Sequence, residues 1–333
     1  MTIALLQILD AHRDHWLTME AITLALNQPP QVIHDWIDQL RQMGHRIESV
    51  PAHGFRLVGY RGRITSDQIE HELNTRRVGR KILVYQATDS TNNVAWQHVS
   101  EPGYDGLAVF AEYQRLGRGR FGRVWSSPPG SSILCSILLQ NENLICGQTL
   151  SLWAGLATAQ AIEKTALVDT YIKWPNDIII SSRKLAGIMV ESRLLNNVPS
   201  YVIGIGINCS QTAEEFDPEL CHQAISLRQA AKIDVSRLHL ARNLLSCLDQ
   251  WLMKIQQGQT DSLHDQWIAR CHDIGRRMTL LNNGQRFTGR VIDVSIEEGL
   301  LIQLDSGPIR AFDGATTTVY IPPGHEDSRQ APM

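Results

Sequence analysis

The sequence predicts an α+β chain of three unlike segments, on three observations. Residues up to about 60 run helix, helix, turn, helix, hairpin. Residues from about 65 to 272 alternate helical and strand-like stretches, and the remainder breaks into short strands at Asn-Gly, Glu-Gly and Ser-Gly turns. The domains expected are a winged helix-turn-helix at 1–62, a mixed-sheet α/β domain at 63–272, a small β-barrel at 273–321 and a tail at 322–333. That tail, PPGHEDSRQAPM, is polar and proline-rich and is expected to be disordered.

In the first segment Ile3, Leu6 and Leu9 fall on one helical face. Thr18 is placed to cap a second helix carrying Ile22 and Leu26. Pro29 and Pro30 suit the first turn of a third, where Ile33, Ile37 and Leu40 form an apolar stripe and Gly44 follows the end. Strands at 47–50 and 55–58 meet through Ala52-His53-Gly54. In a winged helix-turn-helix the third helix enters the major groove, which would turn Gln31, His34 and Arg41 towards DNA, with Arg56 on the wing. The charge fits DNA poorly. Residues 1–65 hold six arginines, no lysine and six acidic residues, and the third helix sets Asp35 and Asp38 against Arg41. Arg56, Arg61 and Arg63 gather positive charge in and after the wing. The same segment also suits a helical bundle used for packing or dimerisation.

In the middle segment, strands are expected at 82–85, 107–112, 133–139, 170–173, 178–180 and 201–207, and helices at 91–97, 150–167 and 235–255. At the end, MTLLNN, RFTGRVIDVS, LLIQLDS and PIRAFDG are the strand runs of the barrel.

A net charge of −3 argues against a chain-wide nucleic-acid or membrane-surface footprint but not against a local patch. No uncharged apolar run approaches the roughly 20 residues that span a bilayer. The apolar start is too short and too soon charged for a signal peptide. Cys135, Cys146, Cys209, Cys221, Cys247 and Cys271 are scattered without a C-x-x-C pair, as expected for core thiols in a reducing cytoplasm. No metal site is expected from them.

The chemistry concentrates in the middle segment. GRGRFGRVWSSPPGSS, residues 117–132, combines glycines that let backbone N–H groups approach a ligand with Arg118, Arg120 and Arg123, whose planar forks suit phosphate or carboxylate. A solvated basic turn, or a loop touching RNA without specificity, has the same composition. TDSTN at 88–92 offers small hydroxyl and amide groups that either cap a helix or cup a neutral polar head group such as a urea. AEYQ at 111–114 leads into the loop. In KWPND, residues 173–177, Pro175 forces Trp174 out of helical geometry, so Lys173 and Asp177 project from a strand's end. RKLAG at 183–187 reads as a hairpin whose return strand passes a ligand, or as a surface hairpin with a solvated lysine.

Together these motifs resemble the biotin protein ligases, of the bacterial type that also represses biotin operons. The matching stretches are DSTN (89–92), EYQ (112–114), GRGRFGR (117–123), W125-x-S-P, KWPND (173–177), RKLAGIMVE (183–191) and GIGIN (204–208). The resemblance spans nearly the whole chain, and it implies a ligase domain of the biotin/lipoyl type with an SH3-like C-terminal barrel. It implies that biotin's carboxylate attacks the α-phosphorus of ATP, with Mg2+ on the phosphates. A lysine of the biotin carboxyl carrier protein of acetyl-CoA carboxylase then takes biotin from biotinyl-5′-AMP. Carried over residue by residue, Ser90, Thr91, Asn92 and Gln114 contact biotin, while Gly117, Arg118, Gly119 and Arg120 line its carboxylate and phosphate. Trp125 walls the pocket; Lys173, Asn176, Gly187 and Asn208 complete it. Lys184, Arg118 and Arg120 supply cations, and Asp177 orients or deprotonates the carrier lysine, or caps its turn. A loop that closes over the intermediate, a cytoplasmic homodimer when biotinyl-AMP is bound, and a biotin operator as DNA partner are also implied. Two departures stand out. The third helix carries two prolines and two aspartates, and Phe121 interrupts the cationic loop. A DNA-binding biotin sensor with little catalysis, and a ligase whose N-terminal module no longer binds DNA, are the alternatives.

Overall fold

Runs rich in Ile, Val and Leu build one sheet at the centre of the chain, seen in a computed structural model that describes residues 2–12, 15–42, 45–60, 63–140 and 145–320. Gly44, Arg61, the tail at 322–333 and the Ile3 side chain lie outside the described residues.

The N-terminal segment follows its predicted order: α1 (Thr2–Ala11), α2 (Met19–Leu26), α3 (Pro30–Gln42), β1 (His45–Val50) and β2 (Gly54–Tyr60). Thr18 Oγ1 caps α2 by accepting from Ala21 N at 3.2 Å, and Asn27 ends it in the left-handed region. Leu5, Leu9, Ile22, Ile33, Ile37 and Phe55 are buried in a cluster of their own.

The central elements are α4 (Ser66–Glu70), β3 (Ile82–Tyr85), α5 (Thr91–Gln97), β4 (Ala108–Ala111), β5 (Ser132–Leu139), α6 (Gly147–Ala166), β6 (Tyr171–Lys173), β7 (Asp177–Ile180), β8 (Arg183–Leu195), β9 (Val198–Asn208), α7 (Leu227–Ala231), α8 (Arg237–Gln256) and α9 (Thr260–Ile268). Seven strands form a mixed sheet in the order β3-β4-β5-β9-β8-β7-β6, parallel only between β3 and β4. Every residue of β5 is buried, because both faces of the sheet are covered. Ile203, Ile205 and Ile207 of β9 face α6 and α8, where Trp153 Nε1 donates to Leu248 O at 2.9 Å. Val202, one pleat away, packs with Val94 and Trp96 of α5 on the opposite face. Gly204 and Gly206 share that second face.

The last segment is an antiparallel sheet ordered β13-β12-β11-β10-β14, from β10 (Arg277–Asn282), β11 (Gln285–Ser295), β12 (Gly299–Leu304), β13 (Ile309–Phe312) and β14 (Thr317–Val319). Its Leu280, Val291, Leu300 and Phe312 join the apolar cluster of the central segment rather than forming one apart. The short β14, α4, α7 and α9 were not foreseen from the sequence; each is held by contacts rather than by a long periodic run. Among the described residues no helix is long and apolar enough to cross a membrane.

Candidate active site

Ser90, Thr91 and Asn92 open α5 and are buried. Ser90 occupies the N-cap position without a side-chain cap bond, so helix capping does not account for it. Gln114, beyond β4, does that work: its Oε1 accepts from Thr91 N at 2.7 Å and Thr91 Oγ1 at 2.9 Å. Ser136 Oγ on β5 lies 2.7 Å from Thr91 Oγ1 and 2.5 Å from Asn92 Oδ1. The side chains of Thr91, Asn92, Gln114 and Ser136 form one hydrogen-bonded polar cup, with Ser90 beside it.

From the cup a track of glycines runs along the sheet. A methyl at Gly204 would sit 2.5 Å from Asn92 Oδ1, and one at Gly206 2.5 Å from Trp125 Cε2. Gly187 pairs with Gly206 on the adjacent strand, and a methyl there would lie 3.1 Å from both Lys184 Nζ and Trp125 Cζ3. Glycine is required because Asn92 and the indole of Trp125 lie directly on the backbone. The Trp125 Nε1 is buried without an acceptor among the described residues, leaving a donor facing the track. Asn208 continues the same face, its amide held by Ile225 O at 3.3 Å and Gln211 Nε2 at 3.1 Å.

Charge gathers at the far end. Lys184 Nζ is 2.7 Å from Asp177 Oδ1, and the buried Lys173 stands opposite Asp177 in the β6–β7 register. Asn176 donates to Ile188 O at 2.7 Å and accepts from Arg120 Nη1 at 3.1 Å. Arg120 Nη2 also donates to the carbonyls of Gly314 and Thr317 in the C-terminal sheet. Burial lowers the Arg120 pKa, opposed by Asp177 and reinforced by Arg123, yet the guanidinium stays charged. Its hydrogen-bond partners are neutral oxygens.

The arginine loop is folded as a hairpin. Trp125 N donates to Gly117 O at 3.0 Å and Gly119 N to Arg123 O at 2.7 Å, while Arg118 bridges Val124. The tip turns through Phe121 at φ 56° and Gly122 at φ 73°, leaving Phe121 59% exposed. Arg118 does not project freely. It pairs with Glu191 of β8, through Nε at 3.0 Å and Nη2 at 3.3 Å, and donates from Nη1 to Asn93 Oδ1 at 2.8 Å. Glu191 also accepts from Asn92 Nδ2 at 3.0 Å and Trp96 Nε1 at 2.6 Å. Burial alone would raise its pKa; the bonds from Trp96 and Asn92 and the Arg118 charge outweigh that and hold it below 4.5. In the sequence Glu191 stands out only as the last residue of RKLAGIMVE. Its period-two spacing from Gly187 was the available signal, since that puts a carboxylate on the pocket face of β8.

Elsewhere, Gln31 and His34 are exposed on α3, with Gln31 Nε2 3.4 Å from Asp35 Oδ1 and the His34 ring set edge-on to Phe55. Arg41 is tied to Asp38 at 3.2 Å and to Ile47 O, and Arg56 to Glu48 at 2.6 Å. Cys135, Cys209 and Cys247 are buried as expected of core thiols, whereas Cys146 is exposed at the start of α6. Burial pushes the Cys209 and Cys271 thiols up to about 12, which leaves them poor nucleophiles.

A polar cup, a row of glycines and a cationic end thus stand together on one face of the central sheet. Residues 84–208, which hold nearly all of these groups, match the Biotin/lipoate A/B protein ligase family. The chain belongs to that family. It is 29% identical over 305 residues to the bifunctional ligase/repressor BirA of Bacillus subtilis, covering 91% of this chain and 94% of that protein. It is 30% identical over 273 residues to the biotin--[acetyl-CoA-carboxylase] ligase of Mycobacterium tuberculosis, covering 78% of this chain and 98% of that protein. Among solved structures it resembles the biotin protein ligase of Aquifex aeolicus in complex with biotin and ATP, with TM-score 0.64 and 25% identity over 72% of this chain and 99% of that one.

Proposed function

We propose that the protein activates biotin with ATP as biotinyl-5′-AMP and transfers it to a lysine of the biotin carboxyl carrier protein of acetyl-CoA carboxylase. The observation that carries this reading is the row of glycines, roofed by Trp125, that lies between a neutral polar cup and a cluster of Lys173, Lys184 and Arg120. Biotin has that same polarity, a neutral ureido head and a carboxylate at the end of an apolar chain. The named activities of the relatives agree with it.

Joining a carboxylate to a phosphate brings anions together, so the site must supply positive charge where they meet. Arg120 and Lys184 take that role. In doing so Lys184 leaves Asp177, whose freed carboxylate then orients the carrier's lysine and accepts its proton. Ser90, Thr91, Asn92 and Gln114 hold the head group, Trp125 covers the chain, and Gly117, Gly119, Asn176 and Gly187 allow close backbone approach. Among the described residues no three His, Cys, Asp or Glu side chains converge as a metal site. Mg2+ would be held largely by the phosphate oxygens and water, where it would offset their charge.

We propose further that 1–62 is a winged helix-turn-helix, 63–272 the ligase domain, 273–321 an SH3-like barrel and 322–333 a tail. In this reading the protein is a cytoplasmic homodimer when biotinyl-AMP is bound. Exposed Leu116, Phe121 and Val124 on the loop hairpin suit a partner surface. A repressor role is the second reading, supported by the name of the Bacillus relative and weakened by the internal pairing of Arg41 and Arg56. Purified protein given biotin, ATP and a carrier domain should release pyrophosphate and label one carrier lysine; pyrophosphate release independent of biotin would contradict the reading.

A further inference from the structure

We propose that Glu191 is a positioning residue that latches the base of the arginine loop to the head-group cup, and that Arg118 acts through it rather than on phosphate. The proposal rests on the biotin-ligase reading of the cup. One carboxylate joins three separate parts of the site. It accepts from Asn92 and Trp96 on α5, at 3.0 and 2.6 Å, and from Arg118 on the loop, at 3.0 and 3.3 Å, while itself standing on β8. The third nitrogen of Arg118 is committed to Asn93 at 2.8 Å, so each guanidinium nitrogen is bound to α5 or to Glu191.

The two loop arginines thus differ in kind. Arg118 faces a carboxylate in a two-point pair, which cancels its charge and fixes its direction. Arg120 is bonded to the neutral oxygens of Asn176, Gly314 and Thr317, so its charge remains available to an incoming anion. Glu191 also fixes the Asn92 amide. With Nδ2 bound to Glu191, Oδ1 is turned to Ser136 and the Gly204 backbone, and the cup presents one arrangement of donors and acceptors. Loss of the latch should therefore let the head group and the bound intermediate escape, without removing the charge that drives adenylation.

The test uses the full chain with Glu191→Gln, Arg118→Gln and the double variant. For each, the KM for biotin, the release rate of pre-formed biotinyl-AMP and the saturated rate of pyrophosphate release are measured. Each single variant should raise KM and release by roughly tenfold or more while the saturated rate stays within about twofold. The double variant should be no worse than the poorer single one, because both remove the same interaction. If Glu191→Gln unfolds, Glu191→Asp keeps the charge on a shorter arm and should show the same split of KM from kcat. Losses that multiply in the double variant, or a saturated rate that collapses in Arg118→Gln alone, would overturn the latch. A parent protein that releases no pyrophosphate with biotin and ATP would overturn the ligase reading, and the latch with it.

Discussion

Lys184 Nζ lies 2.7 Å from Asp177 Oδ1, a cation and an anion brought by neighbouring strands to the same end of the glycine track. The pair sits half-buried, so neither partner is a core element, and each can exchange the other for substrate. In the proposed reaction that exchange would link the two half-reactions, the cation serving adenylation and the anion transfer.

Lys184→Gln is therefore expected to slow adenylation by roughly 100- to 1,000-fold, the range for losing one preorganised charge donor, with the fold intact. Asp177→Asn should retain most adenylation but slow labelling of the carrier. Pyrophosphate release and carrier labelling, measured separately, distinguish the two. Equal slowing of both steps by Asp177→Asn would remove its role as the base.

The track itself gives a steric prediction. An added methyl at Gly206 lies 2.5 Å from the Trp125 ring, closer than atoms can approach, so Gly206→Ala must displace the indole. Overpacking of this kind typically costs about 1–3 kcal/mol. It should also raise the KM for biotin. Gly147→Ala, where the methyl would meet only Tyr201 at 3.6 Å, is the control and should leave KM unchanged.

Much of this site was legible because its motifs are local. DSTN opened a helix at 91–97 with the same ends as α5, and Gly204 and Gly206 fell within the strand expected at 201–207, now part of β9. The partners of the arginines were not legible. Arg118 meets Glu191 only after β8 is laid beside β9, and Arg120 meets Gly314 only once the C-terminal sheet is docked. Such pairs depend on topology rather than on sequence neighbours. The cation count of the loop could be read, but not which cation would be cancelled.

His264 of α9 gives a pH prediction. Its Nε2 is 2.8 Å from Asp293 Oδ1 on β11, tying the central segment to the C-terminal sheet. Burial lowers its pKa, but bonds and charge from Asp293 and Asp265 outweigh this and raise it above 6.5. A raised folded pKa stabilises the protein fully below 6.5 and loses that stabilisation as pH rises through the folded value. The effect of an exposed pair is small, under about 1 kcal/mol. Thermal midpoints in mildly acidic and mildly alkaline buffer should differ less in His264→Gln than in the parent; an equal difference would show that the pair is not coupled to folding.

The N-terminal module gives the last prediction. Arg41 and Arg56 are paired with Asp38 and Glu48, and Asp35 stands exposed on the same helix, so little uncancelled positive charge faces outward from α3. Phosphate neutralisation supplies most non-specific DNA affinity, and two modules in a dimer add avidity only if each makes a useful contact. Binding to the organism's own biotin-operon promoter is therefore expected to be weak, sharply salt-sensitive and dependent on both biotin and ATP. Asp35→Lys should tighten binding to all sequences alike, because it adds phosphate attraction without reading a base. Glu48→Gln should act in the same direction by releasing Arg56. A gel shift at two salt concentrations, with and without biotin plus ATP, measures all three. Tight binding without ligand would refute the coupling, and no binding by the parent at either salt, rescued by Asp35→Lys, would mark the module as one whose surface charge has left DNA behind.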